Sequence, residues 1–273
     1  MENKIAICSV FKDENKYVRE WINYHLAIGF DYIWMYDNES KIPLSETVAD
    51  YIDQGKVGVK GFKGQHHGRQ VQCCQDALVN KLKDYSWIAH IDIDEFIVLL
   101  EESQNIKDYL KEYNNCSSIG LNWLMFGSNG HIETQESVIS AYTQSLPSHG
   151  ANKHIKSIYQ PKYTKSTGAP HFVFTKSDKK LVAGGRQVNV KHKPCDRAFS
   201  EPPVLDYKMR INHYVTRSRQ DFELKQKRGS GNSKNRNYSE EFWDGHHGED
   251  VQNFELKENW NRINENITDN NDM

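Results

Sequence analysis

The first hundred residues alternate between short apolar runs and segments of helical periodicity, and this alternation constrains the fold more than any other feature. The predicted strands cover residues 5–11, 32–36, 57–62 and 87–91, and the first of them is a short apolar run. Such a run is typical of a strand that is buried on both faces of a parallel sheet. Helices between consecutive parallel strands give right-handed crossovers. The pattern therefore predicts an α/β domain built around a mostly parallel sheet.

Segments with helical spacing fill the intervals between these runs. We predict helices over residues 17–28, ended by Gly29, over 44–54, ended by Gly55, and over 71–82. Glycine is common after a helix because it adopts the left-handed conformation without strain. Further along, the sequence predicts strands at 118–123 and 172–174, a helix at 219–228 with Gly229 as its cap, an amphipathic helix at 250–263 and a frayed tail from 264.

A polar cluster lies at the end of each of the four predicted strands. The clusters occupy residues 12–15, 37–40, 64–70 and 92–95. In open α/β sheets, ligands bind beyond the carboxyl ends of the strands. Because all four clusters lie at this edge, the sequence predicts a single binding site there.

Asp92 and Asp94 are the sharpest chemical signal at this edge. Residues two apart in a strand project to the same face, so the two carboxylates would lie side by side and repel each other. A divalent cation between them removes the repulsion, and oxygen ligands favour Mg²⁺ or Mn²⁺. Such a cation would also neutralise the leaving diphosphate of a nucleotide sugar. We therefore predict both residues as metal ligands, with Asp92 also contacting the donor; a solvated turn is the alternative.

Charge is unevenly distributed, although the formal net charge is only −2. Residues 208–236 hold nine Lys and Arg, whereas residues 237–273 hold ten Asp and Glu. The basic, glycine-containing segment 225–236 predicts a mobile loop that closes on the diphosphate, with Lys225 and Arg228 binding the donor. An ordinary exposed loop is the alternative. We expect no nucleic-acid partner.

The cysteines show no metal-binding spacing. None of the five forms a Cys-x-x-Cys motif, and adjacent Cys73 and Cys74 would diverge on a helix. The paired histidines at 66–67 and 246–247 likewise lack the spacing of a closed zinc site. We predict free, mostly buried thiols in a reducing compartment. With neither a signal peptide nor a run of roughly 20 apolar residues, the chain is predicted to be cytoplasmic, with at most peripheral membrane association.

Motifs across residues 5–230 resemble those of glycosyltransferase family 92 and its family 2-like relatives. They occur in the order Lys12-Asp13-Glu14, Tyr36-Asp37-Asn38-Glu39-Ser40, Asp92-Ile93-Asp94-Glu95-Phe96, Phe126-Gly127-Ser128-Asn129-Gly130, His213-Tyr214 and Arg228-Gly229. The resemblance implies a GT-A fold, a nucleotide-sugar donor and a divalent cation, Mn²⁺ or Mg²⁺. It also implies inverting transfer of a hexose such as galactose, with a UDP-sugar as the favoured donor and a glycan or glycolipid as the acceptor.

The resemblance further implies roles for single residues on the donor side. Val10, Phe11 and Glu14 would hold the nucleobase and the ribose. Asp37 would accept a hydrogen bond from a uracil-type N–H, although a turn formed by its own side chain is the alternative. His213, which follows an apolar residue late in the chain, would be the third metal ligand beside Asp92 and Asp94.

Two further predictions concern the phosphates and the proton. Arg69 and Gln70 lie at the start of a predicted helix, where backbone N–H groups favour anions. An inverting transfer needs a general base for the acceptor hydroxyl. His171 is the first candidate and Glu95 the second; Glu95 could instead orient the metal ligands, and His171 could be a packed structural histidine.

The predicted organisation has a catalytic domain over residues 1–217, followed by C-terminal helices and a basic loop over 218–273. Within the catalytic domain, residues 1–100 would bind the nucleotide sugar and 101–217 the acceptor. A sugar-nucleotide nucleotidyltransferase is an alternative function, although residues 5–15 lack the glycine-rich phosphate loop that such enzymes usually show. A non-catalytic glycan-binding domain is a second alternative, but it would have no need of Asp92 and Asp94.

Overall fold

A central sheet organises the described part of the chain. The computed structural model describes residues 3–64, 69–101, 105–169, 171–176, 181–183, 186–187, 199, 202–229, 238–246 and 251–271. The strands are β1 (Ile5–Phe11), β2 (Tyr32–Asp37), β3 (Val57–Gly61), β4 (Trp87–His90), β5 (Glu95–Leu99), β6 (Ser118–Phe126), β7 (Gln144–Leu146), β8 (Ile155–Tyr159), β9 (Thr164–Ala169), β10 (Phe172–Thr175), β11 (Leu181–Ala183), β12 (Arg186–Gln187), β13 (Met209–His213) and β14 (Val251–Gln252). The α-helices are α1 (Val18–Ala27), α2 (Leu44–Thr47), α3 (Ala49–Asp53), α4 (Arg69–Asp76), α5 (Ile106–Glu112), α6 (Val138–Ala141), α7 (Arg219–Arg228), α8 (Glu240–Asp244) and α9 (Glu255–Asn271).

Four parallel strands form the first half of the sheet, in the order β3-β2-β1-β4. Strand β1 therefore lies between β2 and β4, which places Phe11 opposite Asp37 and Cys8 opposite His90. Strand β8 follows, antiparallel to both β4 and β6. The predicted α/β architecture, a mostly parallel sheet with flanking helices, is confirmed.

The side chains of β1 supply both layers of the core. Ile5, Ile7 and Phe11 belong to the larger hydrophobic cluster, whereas Ala6 and Cys8 belong to the smaller cluster beneath α4. Successive side chains of a strand project to opposite faces, so a strand between two layers must be apolar throughout. The apolar run at residues 5–11, interrupted only by Ser9, has this physical cause.

Strand β13 brings the later part of the chain to the edge where β4 ends. It pairs antiparallel with β5 and parallel with β6, so that His213 lies opposite both Glu95 and Met125. The short turn between β4 and β5 contains Asp92 and Asp94, and the Tyr214 N–H donates to the carbonyl oxygen of Asp94 at 2.8 Å. Residues far apart in the sequence thus meet at one end of the sheet.

Three predicted helices differ from those observed. The helix predicted over residues 71–82 begins at Arg69, is α-helical to Asp76 and continues as a π-helix over Ala77–Lys81. The helix predicted over residues 44–54 is divided into α2 and α3, because Val48 leaves the helical conformation (φ −120°, ψ 24°). The last helix begins at Glu255 rather than at 250, because β14 pairs with β7 instead. Its backbone is helical to Asn271, beyond residue 264, and fraying of this tail stays a prediction. Within the described residues, we find no helix with the length and apolarity needed to cross a bilayer.

Candidate active site

A cleft lies at the carboxyl ends of β1 and β4, beside the end of β13. Every residue predicted for the site lines this cleft except Asp37 and Glu95. The lining residues are Val10, Phe11, Lys12, Glu14, Asn38, Phe62, Arg69, Gln70, Asp92, Ile93, Asp94, Trp123, His171, His213, Val215, Lys225, Arg228, Gly229 and Tyr238. The position agrees with the rule that ligands bind beyond the carboxyl ends of strands in α/β sheets.

Asp94 lies in this cleft next to Lys225 and His213. Its Oδ2 accepts a hydrogen bond from the Lys225 Nζ at 2.6 Å, and its Oδ1 lies 3.6 Å from the His213 Nε2. Burial alone would raise the pKa of the Asp94 carboxyl, but Lys225 and His213 outweigh that effect and hold the pKa well below its usual range. Asp94 is therefore an anion whenever its partners are in place.

Asp92 has a different set of partners. Its Oδ1 accepts from the Gln70 side-chain amide at 2.9 Å, and its Oδ2 accepts from the Lys156 Nζ at 2.6 Å. Lys156 was missed by the sequence analysis, although its side chain is only 1% exposed. A single lysine within the otherwise apolar strand β8 was the available signal, because a fully buried lysine almost always has an anionic partner.

The distance between Asp94 and His213 suits two ligands of one divalent cation, whereas Asp92 lies farther from at least one of them. Ligand atoms that are each about 2.1 Å from one ion lie at most about 4.2 Å apart, and the Asp94 Oδ1 and His213 Nε2 are separated by 3.6 Å. Asp92 is not this close to both residues. Among the described residues, no three side chains that include Asp92 have their ligand atoms within 4.8 Å of one another. The His213 Nδ1 is buried and has no hydrogen-bond partner among those residues, although ligating histidines usually have one there.

Glu14 anchors the basic side of the cleft. Its two carboxylate oxygens accept hydrogen bonds from Arg228 at 2.7 Å and from Arg217 at 2.8 Å. Burial by itself would raise the pKa of Glu14, but the two guanidinium groups lower it. The family resemblance implied that Glu14 holds the nucleobase and the ribose. In the structure, its carboxylate accepts hydrogen bonds from Arg217 and Arg228 instead. Arg217 was missed by the sequence analysis because nothing in its local pattern distinguishes it.

Asp37 does not reach the cleft. Its Oδ1 accepts from the backbone N–H and the hydroxyl of Ser40, at 3.1 and 2.6 Å, and its Oδ2 accepts from the Leu44 N–H at 2.9 Å. These contacts agree with the alternative interpretation, in which the Asp37 carboxylate stabilises the turn that follows it. The next residue, Asn38, lines the cleft instead, and its buried Oδ1 has no hydrogen-bond partner among the described residues.

Glu95 is completely buried behind the cleft rather than in its wall. Its Oε2 accepts from the Asp92 N–H at 2.8 Å and lies 3.3 Å from the Lys156 Nζ. Burial raises the pKa of Glu95 to about 8, against the opposing effect of Lys156. A carboxyl group without access to the cleft cannot take a proton from an acceptor, so these contacts describe a residue that positions Asp92.

His171 lies in the cleft wall with a fixed tautomer. Its Nδ1 is 2.8 Å from the Ile155 carbonyl oxygen, which can only accept, so Nδ1 carries the proton and Nε2 is an acceptor. Burial lowers the pKa of His171 to about 3, so the ring is neutral near pH 7. Trp123 lies between His171 and His213, with ring centroids 5.5 and 4.4 Å away.

The predicted closing loop is described only in part. Lys225 and Arg228 belong to the last turn of α7, which ends before Gly229. Residues 230–237 and the histidines at 66, 67 and 247 lie outside the described residues. The loop itself therefore remains a prediction.

Comparison with known proteins identifies the class that this fold and cleft define. The profile of "Glycosyltransferase family 92" matches residues 4–272, and the chain belongs to that family. Among curated proteins, a family 92 protein of rice (Oryza sativa subsp. japonica) is 26% identical over 163 residues, which is 58% of this chain and 27% of the relative. A family 92 protein of Ricinus communis is 26% identical over 172 residues, which is 60% of this chain and 30% of the relative.

The matches to these relatives thus cover less than a third of the relatives' length. Among solved structures, S. aureus TarS 1-349 in complex with UDP is 17% identical to this chain. That match covers 59% of this chain and 47% of the TarS chain, with a TM-score of 0.38. The family assignment therefore depends on the sequence profile, and the architecture on the sheet described above.

Proposed function

We propose that this protein transfers a hexose from a UDP-sugar to a glycan or glycolipid acceptor, in a reaction that depends on a divalent cation and inverts the anomeric centre. The observation that carries the proposal is the meeting of Asp94, His213 and Lys225 at the end of the sheet. An anion, an imidazole and an ammonium group at one point suit both a cation and a diphosphate. Membership of family 92 supplies the reaction class.

The donor would lie along the cleft from β1 to α7. Val10, half-buried at the end of β1, offers an apolar surface for the nucleobase, whereas the Phe11 side chain is fully buried in the core. Asn38 offers an amide oxygen that has no hydrogen-bond partner among the described residues. The diphosphate would lie near Arg69, Lys225 and Arg228. Because Arg228 and Lys225 are paired with Glu14 and Asp94, phosphate oxygens would share or replace these carboxylates as partners.

The residues fit a cation held by Asp94 and His213, with Asp92 directed to the donor sugar or ribose. A bound Mn²⁺ or Mg²⁺ would neutralise the charge that develops on the leaving diphosphate. Lys225 would add a fixed positive charge at the same point. Lys156 and Gln70 hold the Asp92 carboxylate in place, so that its orientation does not depend on the donor.

The acceptor hydroxyl would approach from the side of Trp123 and His171. The neutral His171 ring presents Nε2 as an acceptor, since Nδ1 is committed to the Ile155 carbonyl. A lone pair fixed in this way can receive the hydroxyl proton as the oxygen attacks the anomeric carbon from the face opposite the diphosphate. Trp123 is buried and packs against His154 and His213, so it would support this wall of the cleft from behind.

The decisive experiment is a screen of nucleotide sugars against the purified protein, with Mn²⁺, with Mg²⁺ and with excess chelator. Thermal shift reports binding, because a ligand stabilises the folded state by mass action, and release of UDP in the presence of candidate acceptors reports transfer. We expect stabilisation by a UDP-hexose only when the cation is present. Full activity in excess chelator would contradict the metal dependence.

Two other outcomes would favour the alternative functions. Pyrophosphate release from a nucleoside triphosphate and a sugar 1-phosphate would favour the nucleotidyltransferase. Glycan binding without metal or nucleotide would favour the binding domain.

A further inference from the structure

A buried cluster of two cysteines and one histidine lies beside the cleft but outside the proposed reaction. It consists of Cys8 in β1, Cys74 in α4 and His90 in β4, which are 2%, 3% and 1% exposed. One sulfur or nitrogen atom from each lies within 4.8 Å of the other two. Among the described residues, no other three His, Cys, Asp or Glu side chains meet this condition.

The sheet and its covering helix bring the three side chains together. Cys8 and His90 are direct neighbours in the parallel pairing of β1 with β4, so their side chains project to the same face. Helix α4 covers that face and contributes Cys74. The adjacent Cys73 is also buried but is not part of the cluster, because consecutive residues of a helix point about 100° apart.

One nitrogen of the cluster has no hydrogen-bond partner among the described residues. It is the buried His90 Nδ1, whereas buried polar atoms in proteins are nearly always bonded. The Tyr159 hydroxyl lies 3.0 Å from the His90 Nε2. The imidazole therefore has an orienting partner on one nitrogen and an available lone pair or proton on the other.

We propose that Cys8, Cys74 and His90 bind a thiophilic cation, Zn²⁺ or Cu⁺. Thiolate sulfur and neutral imidazole nitrogen are the ligands that these two cations prefer, whereas Mg²⁺ and Mn²⁺ prefer oxygen. Zn²⁺ cancels the charge of two thiolates and Cu⁺ halves it, which favours either cation in a site without solvent. The site thus differs in chemistry from the pair formed by Asp94 and His213.

The thiolate, not the thiol, is the form of cysteine that binds a metal ion. Binding the cation replaces the sulfur-bound protons, which are released to solvent.

The position of the cluster connects it to the donor cleft. Cys8 lies two residues before Val10, and His90 lies two residues before Asp92. A narrow crevice beside the cluster is also lined by Gln70 and Asp92, so the cluster adjoins the cleft. A cation here would tie β1, β4 and α4 together at the places from which these cleft residues project.

The test begins with metal-free wild-type protein, prepared under reducing conditions and titrated separately with Zn²⁺, with Cu⁺ and with Co²⁺. We expect one equivalent of Zn²⁺ or Cu⁺ to bind, and the Co²⁺ adduct to show sulfur-to-cobalt charge-transfer absorption. Cys8→Ser and Cys74→Ser should each weaken binding at least about 100-fold. Cys73→Ser is the matched control, since it removes a buried thiol from the neighbouring position, and it should bind as the wild type does.

Three results would overturn the proposal. The first is a wild-type Co²⁺ adduct without thiolate absorption, a measurement that does not depend on the folding of any variant. The second is a loss of binding in Cys73→Ser as large as in Cys8→Ser and Cys74→Ser. The third is a Cys8–Cys74 disulfide in protein that was purified without an added oxidant and binds no metal. Asp94→Asn should keep the thiophilic site while losing the Mn²⁺ response, which separates this proposal from the proposed transfer reaction.

Discussion

The Nζ of Lys225 lies 2.6 Å from the Oδ2 of Asp94, while the Nε2 of His213 faces the Oδ1 of the same carboxylate at 3.6 Å. The side chains of Lys225 and Asp94 are largely buried, with exposed fractions of 10% and 12%. A helix after β13 thus neutralises a carboxylate from the turn after β4. The lysine and a cation would both be attracted to Asp94, and this competition can be measured.

Lys225→Met should destabilise the protein in chelator and make it more responsive to Mn²⁺. Removing one partner of a buried ion pair leaves an uncompensated charge, which lowers the free energy of unfolding by about 3–5 kcal/mol. A cation that replaces the lost positive charge should restore part of this stability. Denaturant unfolding with chelator and with Mn²⁺ measures both effects. Lys227→Met, an exposed lysine two positions along α7, is the control, and equal behaviour of the two variants would refute the competition.

Asp94→Asn should lower turnover by about 10³-fold or more, because it removes both a cation ligand and the partner of Lys225. The affinity for Mn²⁺, followed by calorimetry, should fall in parallel. Circular dichroism should show a folded protein, since the amide retains the shape of the carboxylate. Asp53→Asn changes an exposed aspartate and should leave turnover unchanged. Near wild-type turnover in Asp94→Asn would remove this residue from the mechanism.

Lys156→Met should disturb the cleft from behind. Lys156 is the only cation among the described residues that contacts both Asp92 and Glu95, so its loss leaves two carboxyl groups adjacent in a buried site. We expect a loss of about 3–5 kcal/mol in the free energy of unfolding. Glu95→Gln in the same chain should recover little of this loss at pH 7, because burial raises the pKa of Glu95 to about 8 and most of this acid is already neutral there.

Lys165→Met is the matched control for this prediction, because Lys165 is exposed in the neighbouring part of the chain. It should unfold at the same denaturant concentration as the wild type. If Lys156→Met also does so, the buried lysine does not stabilise the two carboxyl groups. Double-mutant analysis of Lys156 and Glu95 then reports their coupling directly.

The sequence predicted the sheet and most of the cleft because both depend on local patterns. The apolar runs that became β1 to β4 showed their burial directly, and the polar residues after them could be placed at one edge by the rules of parallel sheets. Asp92 and Asp94 followed from that placement. The long-range partners did not. The lysine in β8 indicated a buried anionic partner without identifying it, and nothing in the pattern around Arg217 indicated its contact with Glu14.

The misplaced residues have a common physical cause. Asp37 and Glu95 both lie beside a strand end, where a carboxylate can face the cleft or bond to the backbone of its own turn. Asp37 bonds to Ser40 and Leu44, and Glu95 bonds to the Asp92 N–H. Local sequence favours both outcomes equally, so only the packing decides. The pairing of Cys8 with Cys74 was likewise missed, because the register of β1 with β4 and the position of α4 determine it.

Acid should destabilise the protein through His25 before most carboxylates are protonated. The His25 Nδ1 donates to the Trp21 carbonyl at 2.8 Å, and its Nε2 accepts from the Ile97 N–H at 3.3 Å. Protonation would set one N–H against another, and burial lowers the pKa of His25 to about 3. The unfolded chain titrates near 6.5, so the unfolded state binds more protons between pH 6.5 and 3, and stability falls as pH falls through this window.

Unfolding by denaturant at a series of pH values measures this effect. The slope between pH 6.5 and 4 should be smaller in His25→Gln than in the wild type, because glutamine can supply a donor and an acceptor but does not titrate. His131→Gln, at a more exposed histidine, is the comparison. An unchanged slope in His25→Gln would show that His25 is not the group that titrates.

His171→Ala should lower turnover by about 10²-fold, the lower end of the range for general bases, while leaving donor affinity near that of the wild type. The modest size follows from the pKa of about 3, which makes the imidazole a weak base although it is neutral and correctly oriented. For the same reason, His171 should produce no fall in activity between pH 8 and pH 5, unlike an unperturbed histidine, which would be protonated below pH 6.5. The measurement is turnover and donor affinity on the same folded sample across this pH range. Glu95→Gln is the comparison: as a residue that positions Asp92, it should alter donor affinity together with turnover. If His171→Ala loses donor affinity in proportion to turnover and melts earlier, the residue is structural, and the proton must go to another group in the cleft.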